Sequence, residues 1–240
     1  MSPSATPQTL TTMEACMKLA PKTVAAFSKA QERMGAVVAA QPGFLAVIGG
    51  PIANSSWEYF CGKFETPEMM NQWYDSPQHK PVMDKAHEAW FNAFYIRKWR
   101  LPADGEELTG PLFLETAIVP SAQLTQDTVD DVVARLTRTL PQFNAMPFET
   151  VSGEFEDQPF QFVGPLEEFP QPAPVRYLLL THWESSAELD AWLNSSEIRN
   201  LAELGEISHE VSVLLRHQPG ERDGLNADGS QRHWVRAGTT

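Results

Sequence analysis

Two stretches of this 240-residue chain repeat each other, and that constrains its fold more than any other feature. Shifted by 119 residues, KFETPEMMNQWYDSPQHK at 63–80 falls on HWESSAELDAWLNSSEIR at 182–199, so that Phe64 meets Trp183, Glu65 meets Glu184, Trp73 meets Trp192 and Ser76 meets Ser195. The same shift sets Arg97 on Arg216 after each block. Nearer the start, TMEACM at 12–17 matches FLETAI at 113–118 with a shift of 101, pairing Glu14 with Glu115. The two shifts differ by 18 residues, which places an insertion inside the second copy. This is the pattern of a diverged tandem duplication.

Each copy reads as strand, helix, strand, strand, helix, strand. In the first, Met13, Ala15, Met17 and Leu19 alternate as a half-buried strand does. Val24, Phe27, Gln31, Met34 and Val38 recur at helical spacing, and Pro42–Gly43 ends that helix. Phe44 to Ile52 and Trp57 to Phe64 are β-rich runs across a polar turn. Glu68 to Phe91 predicts a helical region broken near Pro77, and Ala93 to Trp99 a closing strand. The second copy offers strands over Leu112–Val119, Val175–Trp183 and Val211–Arg216, with helices under Val129–Leu140 and Ala187–Leu204. Such a βαββαβ unit is a ferredoxin-like, four-stranded antiparallel sheet with helices on one face. Its open face needs cover, which two units can supply to each other in one chain. The expected organisation is an N-terminal unit over 1–104, a C-terminal unit over 105–220 with a hairpin or lid inserted at about 144–174, and a polar tail over 221–240.

Acidic residues outnumber basic ones 31 to 18, a net charge of −13. Such a field repels phosphate backbones and anionic lipid heads, so neither nucleic acid nor membrane is an expected partner. The uncharged stretch Met34–Trp57 is broken by Pro42, Gly43, Gly49, Gly50 and Pro51 and is not a membrane span. The first twelve residues lack the basic and apolar regions of a secretory signal. Cys16 and Cys61, on neighbouring strands, are expected as two buried thiols in a cytoplasmic protein.

QPGFLAVIGG at 41–50, WEYFCGKFETPEMMNQWYDSPQHKPVM at 57–83 and FYIRKW at 94–99 resemble the antibiotic biosynthesis monooxygenase family, through PGF, an aromatic-Glu-Thr strand end, and a Trp followed by Ser-Pro-x-His. The resemblance covers residues 12–100 well and 112–217 only through the repeat. It implies a fold, the α+β class in which two ferredoxin-like βαββαβ repeats form an intramolecular dimeric α+β barrel. It also implies a pocket between sheet and helices in each half. Some family members there oxidise electron-rich polyphenols with O₂ and no cofactor, by deprotonating or orienting a substrate whose carbanion already reacts with oxygen.

His79, Met83 and His87 fall on one helical face shared with Trp90 and Phe91. A pocket histidine suits abstraction of a phenolic or anthrone proton, so His79 and His87 are the candidate catalytic residues. The competing reading is a helix cap or a core hydrogen bond. Trp57, Tyr59, Trp73, Met83, Trp90 and Arg97 are the candidate substrate-binding residues for a small aromatic molecule, against the plainer reading of core packing and, for Arg97, a scaffold ion pair. Glu65 and Glu184, repeated at equivalent strand ends, suggest helix capping. No metal is expected, because about 12 Å of helix separates the histidines and no HExxH or Cys/His cluster occurs. No cofactor is expected either. The second copy carries Ile198, Ala202 and Glu206 where the first has His79, Met83 and His87, which points to one working pocket, in the N-terminal half.

Two other functions compete with a cofactor-independent oxygenase. Haem binding or degradation would pair, by the same resemblance, a first-strand Asn with a helical Trp and His. TMEACMKL has no Asn, and Met83 stands where the ligand is expected. The other is a non-catalytic binding or interaction protein on the same scaffold. Further self-association of the pseudo-dimer stays open.

Overall fold

The computed structural model describes residues 10–148, 159–171, 174–215 and 234–235. In the N-terminal half β1 (Thr11–Leu19) leads to α1 (Val24–Ala39), which buries Ala30, Met34 and Val38 along one stripe. At Gly43 the chain turns with φ 71°, and an added Cβ would stand 2.0 Å from Met69 Sδ, so only glycine serves there. β2 (Phe44–Pro51) and β3 (Glu58–Phe64) follow, then α2 (Pro67–Tyr74), α3 (Lys80–Lys85), a single π turn at Ala86–Trp90, and β4 (Phe91–Arg100). The C-terminal half runs β5 (Leu112–Pro120), α4 (Gln126–Thr139), β6 (Phe160–Val163), β7 (Glu167–Phe169), β8 (Tyr177–Trp183), α5 (Ser186–Leu193), α6 (Ser196–Ala202) and β9 (Gly205–Leu214). A two-residue strand, β10 (Trp234–Val235), pairs its backbone with β4.

All these strands belong to one antiparallel α+β sheet. The order is β4-β1-β3-β2 in the first half and β9-β5-β8-β6 in the second. The halves join where Trp99 and Arg100 of β4 pair with Leu214 and Val213 of β9. The far edges also meet: Ile52 bridges Val163, Ala53 N–H donates to Phe162 O at 2.8 Å, and Gly164 N–H donates to Pro51 O at 3.0 Å. The sheet therefore closes on itself, with helices outside and a central cluster inside.

Alternation along the strands sorts the side chains. Met13, Ala15 and Met17 pack under the helices, whereas Cys16 joins Trp57, Tyr59, Tyr95, Trp99 and Leu180 in the central cluster. Glu14 lies fully buried among them. It accepts from Trp99 Nε1 at 2.7 Å, Tyr95 Oη at 3.2 Å and His182 Nε2 at 3.1 Å. Burial raises its pKa, but His182, Arg97 and the hydrogen bonds more than offset this and hold the carboxyl below its ordinary value. Glu115, its counterpart, accepts from Lys63 Nζ at 3.0 Å, and the same Nζ reaches Glu210 at 2.8 Å. Burial disfavours the Lys63 charge, yet the flanking carboxylates raise its pKa and keep it protonated.

Several boundaries differ from those read in the sequence. The helical region over Glu68–Phe91 does break near Pro77, between Tyr74 and Lys80, and Pro81 suits only the first turn of the segment that follows. Its counterpart divides at Asn194 and Ser195. The helix caps are Thr66 and Ser185, whose hydroxyls accept from Met69 and Glu188 N–H; Glu65 and Glu184 immediately precede them. β9 begins at Gly205 rather than at Val211, since Glu206, Ser208 and Glu210 hid its alternation. The insertion supplies β6 and β7; its residues 149–158 and 172–173, Arg216 and most of the expected tail lie outside the described residues. In register Arg97 faces Glu14 while Glu210 faces Glu115, so Glu210 holds the position equivalent to Arg97. Cys16 and Cys61 are free, buried thiols.

Two substitutions test the buried pairs. Glu14→Gln should lower the unfolding free energy by roughly 1.5–3 kcal/mol, the worth of hydrogen bonds to a charged group. Lys63→Met should cost more, roughly 3–5 kcal/mol, because it strands a buried carboxylate. Denaturant unfolding at neutral pH measures both. Losses below about 0.5 kcal/mol, the range of ordinary surface changes, would contradict this account.

Candidate functional site

The helix-covered side of the N-terminal sheet is not filled. Between α1, α3 and the π turn on one side and β1–β3 on the other lies a cavity of about 890 Å³ with a mostly apolar lining. Binding pockets for small molecules commonly span roughly 300–1,000 Å³. Five of the sequence-predicted residues, Trp73, His79, Met83, His87 and Trp90, all outside the strands, reach its wall.

Local structure explains how His79 is placed. Its backbone N–H donates to the carbonyl and the hydroxyl of Ser76, both at 3.2 Å, so Ser76 fixes the start of α3. That is the physical content of the Ser-Pro-x-His motif. The imidazole stacks on Trp73 with ring centroids 4.3 Å apart and meets Tyr74 edge-on at 5.4 Å. Its Nδ1 is buried with no hydrogen-bond partner. Burial drives the His79 pKa from the ordinary 6.5 down to about 4, opposed only by the Tyr74 backbone carbonyl, so the ring is neutral at neutral pH. In the tautomer that carries its proton on Nε2, the buried Nδ1 in the wall of this apolar cavity can accept a hydrogen bond or a proton from a ligand.

His87 and Trp90 come from the π turn. Such one-turn widenings rotate side chains off the regular helical face, and here both residues look into the cavity. The His87 ring lies perpendicular to those of Phe91 and Phe94, with centroids 5.7 and 5.0 Å away. Trp90 meets Phe27 of α1 edge-on at 6.1 Å. Glu58, Glu167 and Glu168 also line the cavity. Burial, then the charge of Glu167, raises the Glu58 pKa.

Three of the sequence-predicted binding residues belong to the interior between the halves. Trp57 packs in the central cluster, and Arg97 lies buried opposite Glu14 with its guanidinium carbon 5.9 Å from the Trp99 ring. Neither lines the cavity. Tyr59 contributes to the β3 wall, while its side chain belongs to the central cluster. The reason is parity: Glu58, Phe60, Gly62 and Phe64 occupy the cavity face of β3, and Trp57, Tyr59 and Cys61 the inner one. Sequence reasoning missed Phe60, Phe64 and Phe94 as wall residues, although the same alternation marks them once one face is assigned.

In the C-terminal half the equivalent space is packed solid. Trp183 and Trp192 stack at 6.1 Å, Phe143 closes edge-on against Trp192 at 5.4 Å, and Leu136, Leu140 and Leu201 are fully buried around them. Ile198, which matches His79, is buried there as well. Among the described residues no three His, Cys, Asp or Glu side chains are grouped to hold a metal ion. The residues that could ligate a haem iron are the two wall histidines.

The depressed His79 pKa has a measurable consequence. Between pH 6.5 and about 4 the unfolded chain takes up a proton at this residue that the native chain refuses. Stability must therefore fall as pH drops through that window. His79→Gln should flatten this part of the stability curve, and an NMR titration of the native ring should show a midpoint near 4. A midpoint near 6.5 would place His79 in solvent.

Comparison with known proteins adds a fold likeness. No family model matches the chain, and no curated protein matches it. Among solved structures it is similar to an aldoxime dehydratase determined in complex with butyraldoxime, with TM-score 0.50 and 12% identity over 87% of this chain and 81% of that one. It is also similar to an anthrone oxidase-like protein, with TM-score 0.33 and 10% identity over 89% and 94%. A candidate monooxygenase from Fusobacterium nucleatum has TM-score 0.39 and 5% identity over 88% and 94%. The likeness to the aldoxime dehydratase is one of fold. No helix among the described residues is long and apolar enough to cross a membrane.

Proposed function

We propose that the chain is a tandem dimeric α+β barrel of the antibiotic biosynthesis monooxygenase type, which oxidises a flat, electron-rich aromatic molecule with O₂ in its N-terminal cavity and needs no cofactor. The observation that carries this reading is the neutral, unpartnered Nδ1 of His79 in the wall of an aromatic cavity of about 890 Å³. The shared strand order of the halves supports the duplication. So does the correspondence of Lys63 with His182, each reaching the other half's equivalent glutamate.

The chemistry needs little from the protein. A phenol or anthrone docks between Trp90 and the Phe60 face of β3, its acidic hydrogen towards His79. The histidine takes that proton, leaving a delocalised carbanion. In a dry cavity the new imidazolium and the carbanion attract each other strongly, which offsets the cost of charging a buried ring. O₂ forms a C–O bond to the carbanion, which supplies the electrons, and the resulting hydroperoxide loses water. The balance is R₂CH₂ + O₂ → R₂C=O + H₂O, and the proton held by His79 leaves in the water. Trp73 keeps the imidazole in plane by stacking, and Ser76 keeps its backbone in place. Trp90 and Met83 are binding residues in this scheme, and His87 orients the substrate from the π turn.

Oxygen uptake with anthrone, in the presence of chelator, tests the reading. Uptake should survive chelation and fall by about 10²–10⁴-fold in His79→Ala, the usual worth of a general base. His87→Ala should lose less. The pH profile of the native protein should show no acid limb near 6.5, since His79 is already neutral there. Uptake no faster than the spontaneous rate, together with a Soret band on hemin addition that vanishes in a histidine variant, would replace this reading by haem binding.

A further inference from the structure

The N-terminal cavity is not built by the N-terminal half alone. After β6 the chain leaves its own half: β7 pairs with β2, Glu167 against Gly49 and Phe169 against Val47, and so adds a strand to the other half's sheet. The crossing is anchored at both ends. Leu166 N–H donates to Arg176 O at 3.0 Å, and Glu168 forms an ion pair with Arg176. On the receiving side Gly50 leaves room, because a Cβ there would lie 3.0 Å from Pro165 O and 3.3 Å from Leu166 Cδ2. Pro165, Glu167, Glu168 and Phe169 all line the cavity.

Phe169 holds a distinctive place in this wall. Its ring centroid lies 6.5 Å from that of Phe44 at the start of β2. On the other side its ring atoms lie 3.7 Å from where a Cβ on Gly35 of α1 would stand. The ring thus spans the gap between helix and sheet. It is 38% exposed, one of the few large hydrophobic residues so exposed among the described residues. A phenyl ring with one side towards a cavity and the other towards water is placed to close an entrance.

We infer that Phe169, supplied by the C-terminal half, closes the N-terminal cavity between α1 and β2 and sets which flat aromatic ligands the cavity retains. This rests on the reading of the cavity as a ligand site and is independent of any oxidation there. The C-terminal half, whose own helix–sheet space is filled, thereby contributes a specificity-determining residue to its neighbour's site. Contacts at the mouth act mainly on escape, so truncating the ring should speed ligand dissociation more than it changes association. Glu58, Glu167 and Glu168 line the cavity, so the probes must be neutral.

The experiment uses the full chain, N-phenyl-1-naphthylamine as a fluorescent three-ring probe that can twist about its nitrogen, and pyrene as a rigid, broader four-ring one. Stopped-flow dilution should show dissociation of N-phenyl-1-naphthylamine about tenfold faster from Phe169→Ala, which corresponds to about 1.4 kcal/mol. The affinity for pyrene relative to N-phenyl-1-naphthylamine should rise in Phe169→Ala and fall in Phe169→Trp. Circular dichroism should be unchanged, because the β7 pairing with β2 is made by backbone groups. Rates and affinity ratios within twofold of the native chain in both variants would overturn the inference, as would a native chain that binds neither probe saturably. Probe binding that depends on Phe169, without oxygen uptake on anthrone, would leave the inference standing and sink the oxygenase reading alone.

Discussion

Two glutamates buried at the junction of the halves, Glu14 and Glu115, hold the architecture to one arrangement. A carboxylate on the inner face of a lone four-stranded sheet would sit among apolar side chains, a costly position unless it is paired and hydrogen-bonded. Each finds its partner on the opposite half, Glu14 in His182 and Glu115 in Lys63. Those partners occupy the same place in the 119-residue match, one on β3 and one at the end of β8. The pairing is therefore reciprocal. Sliding one half against the other would carry Glu14 away from His182 and Glu115 away from Lys63, stranding both carboxylates in the interior. Apolar packing supplies most of the attraction between the halves, and the paired charges select the register.

Because the inner face carries this paired chemistry, the outer face is free to vary. The C-terminal half fills its outer layer with Trp183, Trp192, Phe143 and the leucines of α4. The N-terminal half leaves a cavity there, walled in part by a π turn in place of a straight helix end. The same scaffold is thus used once as a solid support and once as a container. Ile198 in place of His79 shows the difference at one position: an aliphatic side chain packs where its counterpart keeps an open ring nitrogen.

Much of this was legible in the sequence, for identifiable reasons. The strand order within each half and the N-terminal place of the cavity follow from spacing, and Trp73, His79, Met83, His87 and Trp90 from an aromatic and histidine stripe on one helical region. Trp57 and Arg97 were misplaced because alternation separates two faces of a strand without saying which one the helices cover. The β7 crossing was hidden for another reason. Glu167–Phe169 pairs with residues well over a hundred positions earlier, and three residues carry no periodicity to announce it. The division of each second helix was half visible: Pro77 announces the first break, whereas Asn194–Ser195 looks unremarkable until Ser195 is seen accepting from Ile198 N–H.

The route of the chain between β6 and β8 makes the two halves unequal. Two identical units associating as separate molecules would carry the same crossing strand twice and the same cavity twice. Here β7 leaves one half to pair with β2 of the other, and it lines only that half's cavity. Phe169 closing over Gly35 and Phe44 is an arrangement that needs two different halves at fixed relative positions. The buried glutamate pairs hold those positions. The inner-face register and the outer-face cavity are therefore linked: a wall delivered from one half fits the other only while Glu14 and Glu115 keep their partners across the junction.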